Sequence, residues 1–360
     1  MQSFNVDIKP RPYTVHVGCG LLEQIGSLSL AAGLNGRVAV VTDTNVGSLY
    51  RERVVHALKP LDDAPLVIEV EPGERSKSFA TLERIYDKLV EARFDRHSAI
   101  VALGGGVVGD LAGFAAATFL RGVALVQVPT SLLAQVDSAL GGKTAINHPL
   151  GKNLIGAFYQ PALIAADIAV LRSLPEREFR EGLAEVIKYA AIMDVEMFEQ
   201  LERDQAAILR RSEDILGHFV TLCLRHKATI VERDEREAGL RALLNFGHTV
   251  GHALEVASGF GGLLHGEAVA IGMVAEARLS KTLAGLDACA VARLERWLKG
   301  ADLPTELLPG WKDQKFVDAL ALDKKRESGS VRLILLRELG QAITLRITLD
   351  ELLRHLARAE

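Results

Sequence analysis

Between residues 37 and 128 the chain alternates short, almost wholly apolar runs with amphipathic stretches of helical period, and this alternation restricts the fold more than any other feature. Residues 37–42 (RVAVVT) read as a buried strand ending at Asp43, and residues 66–70 (LVIEV) as a second, ending in the turn Glu71-Pro72-Gly73-Glu74. A helix is predicted over 78–92, with Leu82, Ile85, Leu89 and Val90 at helical spacing. Residues 98–103 form a third strand that opens into Gly104-Gly105-Gly106, and 124–128 a fourth. Short apolar strands separated by helices indicate a mostly parallel sheet, covered on both faces. Beyond about residue 175 long amphipathic helices take over, at 175–194, 208–233, 241–258 and 265–283. The expected architecture is an α/β N-terminal domain with a mostly parallel sheet and an all-α C-terminal domain. The boundary falls near residues 160–175, around Pro161 and Pro175, dividing the chain into 1–170 and 171–360.

Composition narrows the class. Of 360 residues, 49% are hydrophobic and 24% charged, enough apolar material for a sizeable core and against disorder. A net charge of -4 creates no global field for nucleic acid or an anionic membrane, so neither is an expected partner. Cys19, Cys223 and Cys289 are odd in number and far apart, which argues against a disulfide framework and a thiolate zinc site and fits a reducing cytoplasm. The N-terminal residues lack a signal-peptide pattern, and no run reaches the roughly 18 apolar residues of a membrane span.

Gly104, Gly106 and Gly109 formally match GxGxxG, between a strand and an apparent helix. Without side chains, backbone N–H groups can approach a pyrophosphate, whose charge a helix N-terminus favours. The motif follows the third predicted strand rather than the first, unlike the ordinary dinucleotide fingerprint. The first strand ends instead at Asp43, an acid suited to ribose hydroxyls or adenine.

His248 and His252, four apart, share one face of a helix. Asn245 lies three before His248 on that face, and Arg241 joins it if the helix reaches back that far. His265 follows in Leu264-His265-Gly266-Glu267, and Glu185 lies in an otherwise apolar stretch where an unpaired carboxylate would be costly. Two imidazoles and one carboxylate form a common catalytic zinc set with a position left for substrate. Core histidines that merely hydrogen-bond are the alternative. Arg121, Lys143, Lys152, Lys188, Lys227 and Arg241 also stand in segments otherwise built to be buried, and Lys188 shares the face of Glu185. Cations gathered beside a metal imply a substrate with phosphate and carboxylate. Gly142-Lys143-Thr144 is not a Walker A loop, because the upstream glycine is missing.

Taken as a set, the runs LGGGVVGDLAGFAAATFLRG, QVPTSLLAQVDSALGGKTAINHPLGKNLIGAFYQP, EGLAEVIKYAAI, ERDEREAGLRALLNFGHTVGHALE and LHGEAVAIGM resemble the 3-dehydroquinate synthase family, over about residues 10–350. The resemblance implies an NAD-binding α/β domain followed by a helical domain that binds metal and substrate. It puts one divalent cation, zinc or cobalt, on Glu185, His248 and His265. It puts NAD on Asp43, Asn45, Glu74 and Lys77, on Gly105, Gly106, Val107, Val108, Gly109 and Asp110, on Thr130, Ser131, Lys143 and Lys152, and on Val170, Leu171, Arg172 and Ser173. The family often has Thr where this chain has Ser131; the hydroxyl is kept. Substrate contacts fall on Asp137, Lys143, Lys152, Asn153, Lys188, Lys227, Arg241, Asn245 and His252, with catalytic roles for His252, Lys188, Asp137 and Asn245. Arg121 is expected to reach the neighbouring subunit of a homodimer, and one of Lys324 and Lys325 to reach the site.

The reaction so implied turns 3-deoxy-D-arabino-heptulosonate 7-phosphate into 3-dehydroquinate and phosphate, a step of aromatic amino acid biosynthesis. It runs by transient oxidation, phosphate elimination, reduction and intramolecular aldol closure, with NAD regenerated. The alternatives are a cyclase for another sugar phosphate, a metal-dependent alcohol dehydrogenase that would release NADH, and a non-catalytic NAD-binding protein with no need of Glu185, His248, His252 and His265 together.

Overall fold

The computed structural model describes every residue except 10, 260–261, 308–310, 312, 327–329 and 360, and omits the side chains of 322–326 and 359. The elements follow in the order β1 (Gln2–Val6), β2 (Tyr13–Gly18), α1 (Ile25–Ala31), β3 (Val38–Asp43), α2 (Thr44–Leu58), β4 (Leu66–Val70), α3 (Phe79–Glu91), β5 (Ala99–Gly104), α4 (Gly106–Thr118), β6 (Ala124–Pro129), β7 (Lys143–His148), β8 (Gly151–Phe158) and β9 (Leu163–Asp167). Then come α5 (Glu176–Met193), α6 (Val195–Leu209), α7 (Glu213–Arg233), α8 (His248–Ser258), α9 (His265–Leu283), α10 (Ala288–Gly300), α11 (Gln314–Arg326), β10 (Val331–Glu338), β11 (Gln341–Ile347) and α12 (Leu349–Ala359). Two compact units result. One is Met1–Leu174 with Leu216–Arg236; the other is Pro175–Ile215 with Glu237–Glu360. Most of α7 therefore packs with the first unit, so the units are not two contiguous stretches divided at 170/171.

The first unit is built on a seven-stranded sheet of order β1-β2-β9-β6-β5-β3-β4, parallel except for the β1–β2 edge pair. Every residue of β5 is buried, because helices cover both faces. Val38, Val40, Val101 and Leu103 face α1 and α2, while Ala39, Val41, Ile100 and Ala102 face α3 and α4. Asp43 ends β3 and caps α2, accepting from the amides of Asn45 at 2.9 Å and Val46 at 3.0 Å. Gly104 turns β5 into α4 so tightly that a Cβ on it would lie 2.6 Å from the Val108 side chain. β7 and β8 form a separate antiparallel ribbon.

The second unit is helical, as the sequence predicts, and adds an antiparallel pair, β10–β11, that an all-α domain does not include. Two helix expectations are corrected. The helix predicted over 208–233 is interrupted at 210–212, where Arg211 takes φ 57°, so α6 ends and α7 begins. The helix predicted over 241–258 is a 3-10 segment, Leu240–Asn245, followed by α8, because Gly247 at φ 79° breaks the run. Arg241 and Asn245 therefore do not share a helix face with His248. The three cysteines are free, and among the described residues no helix is long and apolar enough to cross a membrane.

Candidate metal centre and dinucleotide cradle

In the helical unit, three helices bring Glu185, His248 and His265 together. Glu185 stands on α5, His248 opens α8 and His265 opens α9. Gly266 permits the approach of α9 to α5: a Cβ there would lie 2.0 Å from the Glu181 carbonyl oxygen, one turn before Glu185. Glu185 Oε1 lies 3.5 Å from His248 Nε2 and 3.6 Å from His265 Nε2. Ligand atoms on a tetrahedral cation at about 2.0–2.1 Å are about 3.4 Å apart, so the spacing fits one cation among them.

The rings are also oriented for ligation. His248 Nδ1 is 3.1 Å from the Phe246 carbonyl oxygen, and His265 Nδ1 is 3.3 Å from Glu255 Oε2. An acceptor at Nδ1 holds the proton there and leaves the Nε2 lone pair for a metal. Burial, reinforced by the Lys188 ammonium, holds His248 well below the usual imidazole range, so it stays neutral. Burial opposes charge on His265 as well, but Glu185 and Glu255 outweigh it and push the ring up to about 10. A cation would take the place of that proton. Lys188 pairs with Glu185 on the same face of α5, and both are buried. His252, one turn beyond His248, is exposed, its ring centroid 5.2 Å from that of His248 and 5.8 Å from that of His265.

The first unit carries a second constellation. α4 starts at Gly106 without a side-chain cap, leaving first-turn amides to an anion. Beside it the buried Lys77 donates to Asp110 Oδ2 at 2.6 Å and to Asn153 Oδ1, with Glu74 Oε1 at 3.7 Å. Burial raises the Asp110 carboxyl, and the Lys77 ammonium opposes the rise. Asn147 ties these parts together. Its amide donates to the Lys77 carbonyl at 2.8 Å, its Nδ2 to Glu74 Oε1 at 2.8 Å, and its Oδ1 accepts from the Asn153 amide at 2.9 Å. Lys227 on α7 donates to Asp137 Oδ1 at 2.9 Å and to its carbonyl at 2.7 Å.

Family patterns described as 3-dehydroquinate synthase N-terminal and C-terminal match residues 67–181 and 182–326. The chain belongs to the 3-dehydroquinate synthase family. It is 49% identical over 354 residues to the 3-dehydroquinate synthase of Pelobacter propionicus, covering 98% of each chain. Among solved structures it is similar to 2-deoxy-scyllo-inosose synthase complexed with carbaglucose-6-phosphate, NAD+ and Co2+, with TM-score 0.88 and 27% identity over 99% of each chain. It is also similar to 2-epi-5-epi-valiolone synthase from Streptomyces hygroscopicus subsp. jinggangensis 5008 with NAD+ and Zn2+ bound, with TM-score 0.88 and 28% identity over 98% of each chain.

Within this member of the 3-dehydroquinate synthase family, not every expected neighbour is adjacent. Lys143 and Lys152 are both exposed but sit at opposite ends of the β7–β8 ribbon, Lys143 paired with Phe158 and Lys152 beside the tip. Arg121 is exposed on a turn whose residues Leu120, Arg121 and Gly122 all have positive φ, at 49°, 68° and 121°. The Val170–Ser173 stretch is anchored by Tyr50, whose hydroxyl lies 3.3 Å from the Val170 carbonyl oxygen and 2.5 Å from Ser173 Oγ. Asn245 Nδ2 donates to Glu237 Oε1 at 2.8 Å, and Arg241 is buried. The side chains of Lys324 and Lys325 lie outside the described residues. Sequence reasoning missed Glu255, Asn147 and Glu181, the last pushed up to about 7 by burial despite His265 nearby. The i−10 spacing of Glu255 from His265 carries no local signal of their contact.

Proposed function

We propose that the chain converts 3-deoxy-D-arabino-heptulosonate 7-phosphate to 3-dehydroquinate and phosphate, using NAD and one divalent cation, zinc or cobalt. One observation carries the reading: Glu185, His248 and His265 converge on a cation-sized space in a chain about half identical to a 3-dehydroquinate synthase along nearly its whole length. When bound, the nicotinamide supplies reversible hydride acceptance and the cation supplies Lewis acidity.

The chain's own residues do the rest. Glu185, His248 and His265 would hold the cation, with Glu255 and the Phe246 carbonyl fixing the rings. His252 and Lys188 stand beside that set, His252 to move a proton and Lys188 to orient a hydroxyl. Buried Lys227 and Arg241 supply cations for a substrate carboxylate, a group a simple hexose phosphate lacks. Asp137 holds the Lys227 ammonium in place. Lys143, Lys152, Asn153, Asn245 and Arg121 would hold phosphate, Arg121 from the other subunit of a homodimer. NAD would lie along Asp43 and Asn45, Glu74 and Lys77, the Gly105–Asp110 turn, Thr130 and Ser131, and Val170 to Ser173, supported by the uncapped start of α4. The cytoplasm suits free thiols and a small phosphorylated substrate.

Phosphate release from the heptulosonate phosphate tests the reading. Turnover is expected with NAD+ and zinc together, and is lost when either is omitted. Nicotinamide absorbance should show no net change, whereas a dehydrogenase would accumulate NADH. Absence of phosphate release with both present would overturn the assignment.

Lys227→Ala is expected to weaken substrate binding by about ten- to a hundredfold, the value of one charge-assisted hydrogen bond, with little effect on NAD. Comparing the two dissociation constants checks this; equal losses would argue for a general disturbance of α7.

A further inference from the structure

Glu276 is fully buried in the helical unit, and no step of the proposed reaction uses it. It lies midway along α9, where its carboxyl meets the start of α8. Oε2 accepts from the Gly247 amide at 2.7 Å, and Oε1 from the Val250 amide at 3.4 Å. A helix leaves its first amides without intrahelical partners, and a Ser, Thr, Asp or Asn at the N-cap ordinarily accepts from one of them. The N-cap of α8 is Gly247, which has no side chain to offer.

Glycine is required there on two counts. Gly247 stands at φ 79°, and a Cβ on it would lie 2.5 Å from Met273 Cγ and 2.8 Å from the Val269 carbonyl oxygen. The facing Gly272 is equally constrained, since its Cβ would lie 1.9 Å from the Gly247 carbonyl oxygen. The two helices thus meet backbone to backbone beside the first residue of α8, which is His248. The close approach that aims this histidine also denies its helix a cap of its own, and Glu276 supplies one from the neighbouring helix. The arrangement carries a cost: burial pushes the Glu276 carboxyl up to about 8, against the pull of the amides. An apolar side chain could fill the space without that cost but could accept from neither amide.

We infer that Glu276 is a positioning residue for the metal centre: by capping α8 across the helix interface it fixes the first turn, and with it the reach of His248 Nε2 toward Glu185 and His265. The inference rests on the ligand assignment proposed above. The lever is short. His248 Nδ1 is tied to the Phe246 carbonyl, so a shift in residues 246–248 moves the ring directly. Metal–ligand distances lie within about 0.2 Å of their standard values, so a shifted ring no longer fits the same cation.

The test measures zinc dissociation constants of the full chain by competition with a chromophoric chelator, the Co2+ absorption spectrum, and the melting temperature of the metal-free protein. Glu276→Ala is expected to weaken zinc about 10- to 100-fold and to alter the Co2+ spectrum. Glu276→Gln, which keeps one acceptor oxygen, should fall between it and the unsubstituted chain; it decides the matter alone if the alanine variant does not fold. Ser280→Ala is the control. Ser280 Oγ donates to the Glu276 carbonyl at 2.7 Å and accepts from the Leu336 amide at 2.9 Å, so its loss should lower the melting temperature without changing zinc affinity. Unchanged zinc affinity in both Glu276 variants would overturn the inference even if they melt earlier, as would an equal loss in Ser280→Ala. His248→Ala separates the two levels: if it binds zinc as tightly as the unsubstituted chain, the ligand assignment itself has failed.

Discussion

Alanine at His248 is expected to reduce turnover to below about one-thousandth, while the metal-free protein loses only about 1 kcal/mol of stability. The imidazole lies 3.5 Å from Glu185 Oε1 and is held neutral by burial and the Lys188 charge, so it is ready to ligate without first losing a proton. Removing it leaves two donors where three are needed. A bound cation contributes several kcal/mol of transition-state stabilisation, and each 1.36 kcal/mol is a factor of about ten. The fold should tolerate the change, since the start of α8 is held by backbone contacts at Gly247 and Gly272 and by Glu276 rather than by the ring. Steady-state rates with added zinc, beside a thermal melt, check both halves. Near-normal rates in metal-free buffer would refute the ligand role.

The elements most legible in the sequence carry a continuous apolar run or an unbroken helical period. β3, β5 and β6 are buried on both faces and read as continuous apolar runs. α9 was legible to the residue, at 265–283, because its apolar period is unbroken and His265-Gly266-Glu267 marks its start. Other strands show a weaker signal. β8 is mostly exposed and so shows no continuous apolar run; β9 contains two alanines, which carry little strand preference. β1 lies at the sheet edge and is mostly exposed. The break at Gly247 was missed because glycine inside a helical period is ambiguous; its left-handed geometry is set by contact with α9, far away in sequence.

The same division holds for the site. Glu185 and Lys188 stood out because charge in an apolar helix needs a partner at i+3, and they are each other's partner. Glu255, Glu276 and Asn147 look like ordinary polar residues, and their roles arise only when separate segments meet. A first contact with metal or substrate restricts residue type enough to be read locally. The groups that hold such residues in place are chosen by tertiary geometry.

Glu185→Ala should cost more stability than any other single change at this centre, about 3–5 kcal/mol. The reason is Lys188, whose side chain is 2% exposed and would lose the carboxylate that pairs its ammonium. Zinc binding would vanish as well, so the single variant confounds two effects. Adding Lys188→Met separates them. With the buried cation gone, the double variant should recover most of the lost stability, the remainder being the cavity that alanine leaves in place of the buried Glu185 chain. Zinc binding should stay lost, because methionine restores packing but no ligand oxygen. Urea unfolding of the metal-free chains measures the first and zinc titration the second. An undiminished single variant would mean that the pair contributes nothing to stability. A double variant that regained zinc would show that the cation is held elsewhere than between Glu185, His248 and His265.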